Sequence, residues 1–237
     1  MNTVVHKAAT RGGADFGWLQ AKHTFSFGNY QDPERIHFGM LRVLNDDIIA
    51  AGMGFGTHPH QNMEIITIPL EGALEHKDSM DNVAVIKSGD IQVLSAGTGI
   101  THSEYNNSKD VQVKLLQIWV IPNKTNVTPR YDELTLNVQD RKNQLQQVLS
   151  PNQDDAGVWI HQDAWFHMSN LDTEKIVSYD LKKPAKNGVY VFVIKGKVHV
   201  NGQALETRDG FGIWDVATLQ IQAITNSELL LMEVPMH

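Results

Sequence analysis

The sequence predicts an all-β protein built from two barrels of one kind in tandem. Three observations carry this. Short runs of Val, Ile, Leu and aromatic residues are punctuated by Gly, Asn and Asp. Helical periodicity is weak throughout. The second half repeats the landmarks of the first.

Taken in order, Val4 to Phe27 belongs to neither repeat. The alternation in His23-Thr24-Phe25-Ser26-Phe27 predicts a strand that packs on one barrel or bridges both. Leu41–Asn45, Glu64–Leu70, Asp90–Leu94 and Leu115–Ile121 are the strands of the first barrel. Asp46-Asp47 reads as a solvated turn, and Thr98-Gly99-Ile100 as a hairpin connection. The polar stretch from Pro122 to Pro129 marks the break, dividing the chain into domains 1–130 and 131–237. In the second domain Glu133–Leu149 is the best place for a short helix, and Val189–Ile194 and Leu229–Val234 are strands. The repeat is visible in its punctuation. Gly72 follows Ile65–Leu70 as Gly196 follows Val189–Ile194; Gly89-Asp90 matches Asp209-Gly210; and each half ends in an apolar strand closed by proline, Pro122 or Pro235.

Composition narrows the chemistry. The chain has no cysteine, which excludes disulfides, thiolate metal sites and cysteine nucleophiles. A formal net charge of −7 argues against nucleic acid or an anionic membrane as a direct partner. No apolar run reaches membrane-span length, and Met1 to Gly13 lacks the apolar stretch of a secretory signal. A cytoplasmic monomer is the expectation, so the sequons at Asn106 and Asn126 carry no glycosylation meaning.

Two pairs with i, i+2 spacing stand out: His58-Pro59-His60 and His102-Ser103-Glu104. Residues two apart share a face of a β-strand, whereas on a helix they diverge. Two such strands side by side present three imidazoles and one carboxylate to a common point, a donor set suited to a divalent metal. Pro59 cannot donate to a ladder, so its strand belongs at an edge or rim. The repeat offers a control: at the matching spacing from Gly196 stand Lys182 and Pro184, neither of them a ligand. The second barrel therefore lacks the metal set, although His161 and His167 occur elsewhere in it.

Gly52, His58-x-His60, Glu64 and Gly72, followed by Gly89, Gly97, His102 and Asn106, resemble the two cupin motifs. The runs His58-Pro59-His60-Gln-Asn-Met-Glu64 and Ser95-Ala-Gly-Thr-Gly-Ile-Thr-His102-Ser-Glu104 resemble the pirin family more closely, as do Asp15-Phe-Gly-Trp18-Leu, His23-Thr-Phe-Ser-Phe27 and Asp32-Pro33. The resemblance implies a bicupin fold of two jelly-roll-like barrels, with one metal, most often Fe(II), held by His58, His60, His102 and Glu104. Mn, Ni, Co, Cu or Zn are alternatives. General cupins take their carboxylate from the first motif, here Glu64. Glu104 is preferred because it shares strand parity with His102. Glu64 is assigned the job of orienting a ligand histidine through its free N–H. His23, His37 and His76 read as structural or surface residues. Phe25, Phe27, Phe38, Phe55 and Met63 could line an aromatic pocket, though each also suits plain barrel core.

The leading functional reading, taken from the resemblance, is a quercetin 2,3-dioxygenase-like enzyme acting on a flavonol and dioxygen, with Glu104 as general base. The alternative is a non-enzymatic metal-binding regulator working through a protein partner. An isomerase on the same scaffold is a third, since fold does not fix substrate.

Overall fold

The computed structural model describes residues 1–237. In chain order the first strands are β1 (Asn2–His6), β2 (Gly12–Asp15), β3 (Leu19–His23), β4 (Leu41–Ile49), β5 (Gly54–His60), β6 (Glu64–Glu71), β7 (Ala73–Asp78), β8 (Val83–Lys87), β9 (Asp90–Ser95), β10 (Ile100–Asn106), β11 (Val113–Val120) and β12 (Arg130–Thr135). The second set comprises β13 (Gln146–Ser150), β14 (Val158–Trp159), β15 (Trp165–Leu171), β16 (Ile176–Asp180), β17 (Asn187–Lys195), β18 (Lys197–Val200), β19 (Gln203–Glu206), β20 (Gly210–Trp214), β21 (Thr218–Ala223) and β22 (Ser227–Pro235). The tandem all-β prediction holds.

Each barrel is a large sheet facing a small one. The first pairs β12-β9-β6-β11-β4-β3-β2 with β5-β10-β7-β8; the second pairs β1-β20-β17-β22-β15-β13-β14 with β16-β21-β18-β19. The two large sheets stack back to back. Residues such as Leu41, Ile66, Ile68 and Ile118 from one, with Phe166, Tyr190, Phe192 and Met232 from the other, form the largest core of the molecule, 25 buried residues. Because side chains alternate, the opposite face of each large sheet lines its own barrel.

Sheet membership cuts across the sequence division at 130/131. β1 pairs with β20 of the second barrel, from Asn2 opposite Trp214 to His6 opposite Gly210. β12, reaching to Thr135, pairs with β9 of the first. Each strand covers an otherwise open edge. The strand expected at His23–Phe27 lies earlier, at Leu19–His23. The helix expected within Glu133–Leu149 is not formed. Pairing claims both ends of that segment, leaving a single 3-10 turn at Val138–Arg141, where Asn137 accepts a hydrogen bond from the Gln139 N–H. Asp46-Asp47 is no turn either. Both residues lie within β4; Asp46 bonds Arg11 and Arg208, each at 3.0 Å, while Asp47 points into the barrel.

The barrel interiors differ. In the second, 16 buried apolar residues make one continuous core. In the first, the interior splits into a group around Leu19, Ile49, Leu74 and Leu115 and a smaller group around Ile65, Leu94 and Ile100. Between them a row of polar side chains crosses the large sheet from strand to strand. It runs His23, Asn45, Gln117, Thr67, Gln92, each opposite the next.

Candidate metal centre

β5 is the edge of the small sheet, where Pro59 leaves no ladder donor missing. Its antiparallel partner β10 places His102 directly opposite His58 and Ile100 opposite His60. Gly97 and Gly99 adopt φ of 45° and 135° in the turn that delivers β10, conformations that favour glycine. Strand parity then aims His58, His60 and His102 into the barrel. One ring nitrogen from each lies within 4.8 Å of the others, with ring centroids 4.5 Å apart for His58 and His102 and 4.9 Å for the other two pairs.

The polar contacts leave these imidazoles as lone-pair donors. His58 Nδ1 lies 2.8 Å from the Gly56 carbonyl, to which it donates, so Nε2 is unprotonated in the neutral ring. His102 Nε2 is buried with no hydrogen-bond partner. On its other side His102 Nδ1 meets His76 Nδ1 at 3.5 Å, and His76 Nε2 meets Asp78 Oδ2 at 3.1 Å. Burial pushes Asp78 up, but hydrogen bonds from Asn82, His76 and the Met80 and Asn82 N–H groups outweigh it and hold the carboxyl low. Asp78 is therefore ionised. It accepts from His76, which accepts from His102 Nδ1–H, so the network assigns the lone pair to His102 Nε2. Burial, reinforced by neighbouring histidines, lowers His60 to about 4 and His102 to about 3, so both are neutral at pH 7.

Glu104 is fully enclosed. Gln117 Nε2 donates to its two oxygens at 3.3 and 3.0 Å, and Thr67 Oγ1 lies 3.5 Å away. Its carboxylate is grouped with His102 and His76 within 4.8 Å, and burial raises its pKa against the pull of the Gln117 bond. An unpaired buried nitrogen, three convergent imidazoles and an adjacent carboxyl group fit a divalent cation by their own donor chemistry.

Glu64 does not join this group. It shares parity with Ile66 and Ile68, which face the core between the barrels, whereas Ile65 and Thr67 face inward. Its Oε2 accepts from Ser95 Oγ at 2.6 Å, and Arg130 is its nearby cation. The expectation that it orients a ligand histidine is therefore corrected. His76, assigned a structural or surface role from the sequence, is wholly buried against His102. The polar run Glu75-His76-Lys77-Asp78 on a strand beside β10 was the available signal.

A cavity of about 430 Å³ opens beside the histidines. Phe27 and Phe55 line it, as the sequence suggested, whereas Phe25 and Phe38 lie in the core between the barrels and Met63 packs on Ile65 and its neighbours. Trp18, Trp119, Asn45, Asp47 and Gln117 also line it and were missed. Trp119 meets His60 edge to face at 5.0 Å.

The second barrel supplies the internal comparison. Counted from Gly72 and Gly196 through the strand registers, His58, His102, Glu104 and His76 correspond to Tyr179, Leu219, Ile221 and Val200. All four belong to its apolar core, as does Leu181 at the place of His60. The control residues Lys182 and Pro184 are corrected accordingly. They lie past β16, because the connection to β17 is longer than that between β5 and β6.

A family model described as Pirin matches residues 4–120, and one described as the quercetinase C-terminal cupin domain matches 147–234. The quercetin 2,3-dioxygenase of Escherichia coli (strain K12) is 44% identical over 231 residues, covering 98% of each chain. A pirin-like protein of Caulobacter vibrioides is 40% identical over 223 residues, covering 94% of this chain and 95% of that one. The crystal structure of the bacterial pirin YhhW from Escherichia coli in complex with nickel(II) superposes with a TM-score of 0.93 at 44% identity, covering 99% of each chain.

Proposed function

Because this chain belongs to the pirin family, we propose that it is a metal-dependent dioxygenase that opens the ring of a flavonol such as quercetin. The metal would be held by His58, His60, His102 and Glu104. The observation that carries the reading is the buried, unpartnered His102 Nε2 facing His58 and His60 across the floor of an aromatic-walled cavity. The names of the full-length relative and of the nickel-bound pirin support it from outside the chain.

A divalent ion bound there, Fe(II) by expectation with Mn, Ni, Co, Cu or Zn as alternatives, supplies Lewis acidity toward the flavonol 3-hydroxyl and an open coordination position. The protein does the rest. His58 and His102 have tautomers fixed by Gly56 and by the His76–Asp78 pair, so the donor set is organised in advance. Glu104 takes the hydroxyl proton on a carboxylate oxygen, steadied by Gln117 and Thr67. Trp119, Phe27 and Phe55 give the planar substrate an apolar bed and keep bulk water from the reacting ring. Dioxygen adds across the ring, which opens with release of carbon monoxide. The geometry offers no observation of its own in favour of the regulator reading.

The test is aerobic turnover of quercetin by protein of measured metal content, with carbon monoxide as the readout. Turnover should scale with metal occupancy and be lost in His58→Ala. Undiminished turnover in that variant or in metal-free protein would overturn the proposal.

A further inference from the structure

Two polar groups on the cavity wall are left without partners, Trp119 Nε1 at the histidine end and Asp47 beyond it. Asp47 lines the cavity, is only 5% exposed, and its Oδ1 has no hydrogen-bond partner. No lysine or arginine pairs with it; the arginines nearby go to Asp46, which points to the other face of β4. Its neighbours across the sheet are Leu115 and Ala21. An unpaired carboxyl enclosed among apolar side chains works against folding and asks for a ligand.

Its place along the strands says what kind. Trp119, Gln117 and Leu115 alternate down β11, opposite Val43, Asn45 and Asp47 of β4. Trp119 meets His60 and Gln117 meets Glu104, so the histidine end of the cavity lies at the first two rows. Asp47 is one row further on, about 7 Å beyond Gln117 and about 13 Å from the Trp119 row. A planar aromatic chelated at the histidines would bring a remote ring to Asp47. The wall amides are already committed, Asn45 to His23 at 2.9 Å and Gln117 to Glu104, and the unpartnered Trp119 Nε1 lies back at the histidine end.

We propose that Asp47 is the specificity contact for a hydroxyl on the remote ring of the substrate, so that this cavity prefers polyhydroxylated over unsubstituted flavonols. The inference rests on the flavonol reading. Burial first, then the Asp46 and Glu104 carboxylates, pushes the Asp47 carboxyl up to about 8. The contact does not depend on that, since a phenol donates to a carboxylate and accepts from a carboxylic acid.

The experiment compares quercetin with 3-hydroxyflavone, which keeps the chelating head and lacks every other hydroxyl. Wild type, Asp47→Leu and Asp47→Asn are loaded with metal, checked for metal content and melting temperature, and assayed for kcat/KM. Anaerobic binding is followed in parallel by quenching of Trp18 and Trp119. Wild type should favour quercetin about tenfold to a hundredfold. Asp47→Leu should collapse that ratio toward one, mainly through KM, and Asp47→Asn should retain part of it. An unchanged ratio in folded, metal-loaded Asp47→Leu overturns the inference even if both flavonols turn over. If wild type binds the pair without turning them over, the enzymatic reading fails while the binding ratio still judges Asp47. If it binds neither, both fall.

Discussion

Replacing His102 by leucine, the residue the second barrel carries at the same place, separates the cost of the donor set from its use. In the metal-free protein His102 Nε2 is buried without a partner. Such a group costs about 1–3 kcal/mol. The bond it gives up in the exchange, to His76 at 3.5 Å, is long and returns well under about 1 kcal/mol. Leucine is close in volume and lies beside Ile100 on the same strand face. The exchange also leaves the buried His76 Nδ1 without its donor, a cost of the same order, so metal-free His102→Leu should match metal-free wild type to within about 1 kcal/mol. Metal should then separate the two. At nickel(II) about a hundredfold above its Kd, wild type gains about 2.7 kcal/mol through linkage and the variant gains nothing comparable. Urea unfolding with and without nickel(II) reads both quantities from one set of curves. The reasoning fails if the metal-free variant loses more than about 1 kcal/mol, which would make His102 a packing residue. It also fails if the variant keeps the nickel shift.

Three further outcomes are expected. Asp78→Asn removes the carboxylate that fixes the His76 tautomer at 3.1 Å, and should weaken nickel(II) binding about tenfold to a hundredfold in competition titrations with little change in fold. Glu64 holds its proton to about 7 in the folded protein against an ordinary 4.5, because it is buried. Its contribution to stability is thus complete below 4.5 and drains away as pH rises through about 7, by at most about 3 kcal/mol. Glu64→Gln should match wild type in urea midpoint near pH 4.5 and exceed it near pH 8; a constant difference would refute the linkage. Phe166→Ala opens a cavity in the core shared by both large sheets and should cost about 3–5 kcal/mol while leaving a single unfolding transition, as followed by calorimetry.

Strand-level information reached the candidate donors directly. The i, i+2 spacing of His58, His60, His102 and Glu104 is a statement about faces, and faces are what a strand preserves. Parity alone could not place Glu64, for want of a reference. Whether a strand residue points into its barrel or toward the neighbouring barrel depends on which side the second domain packs, and β6 is buried on both. Asp46-Asp47 was misread for a related reason. Adjacent acidic residues look like a turn, yet here one serves each face of β4, Asp46 bonding Arg208 of the second barrel and Asp47 bounding the cavity. Gln117 and Trp119 sit in an apolar run whose period is hidden by burial on both sides. His76 shows in the sequence only as part of a polar run, and takes its meaning from its register opposite Glu104.

β1 has a consequence for the order in which the chain can assemble. Its ladder partner, β20, lies more than two hundred positions downstream, with Asn2 opposite Trp214. The side-chain tie between His6 Nδ1 and Tyr190 Oη, 2.8 Å, spans nearly as far. During synthesis at about 5–20 residues per second, β1 waits about 10–40 seconds for its partner. The strands from β2 to β12 have everything they need to close before then, the candidate metal donors included. The histidine site thus belongs to the part of the molecule that can be finished early. β1, in contrast, can bridge to the second barrel only once β20 has been made.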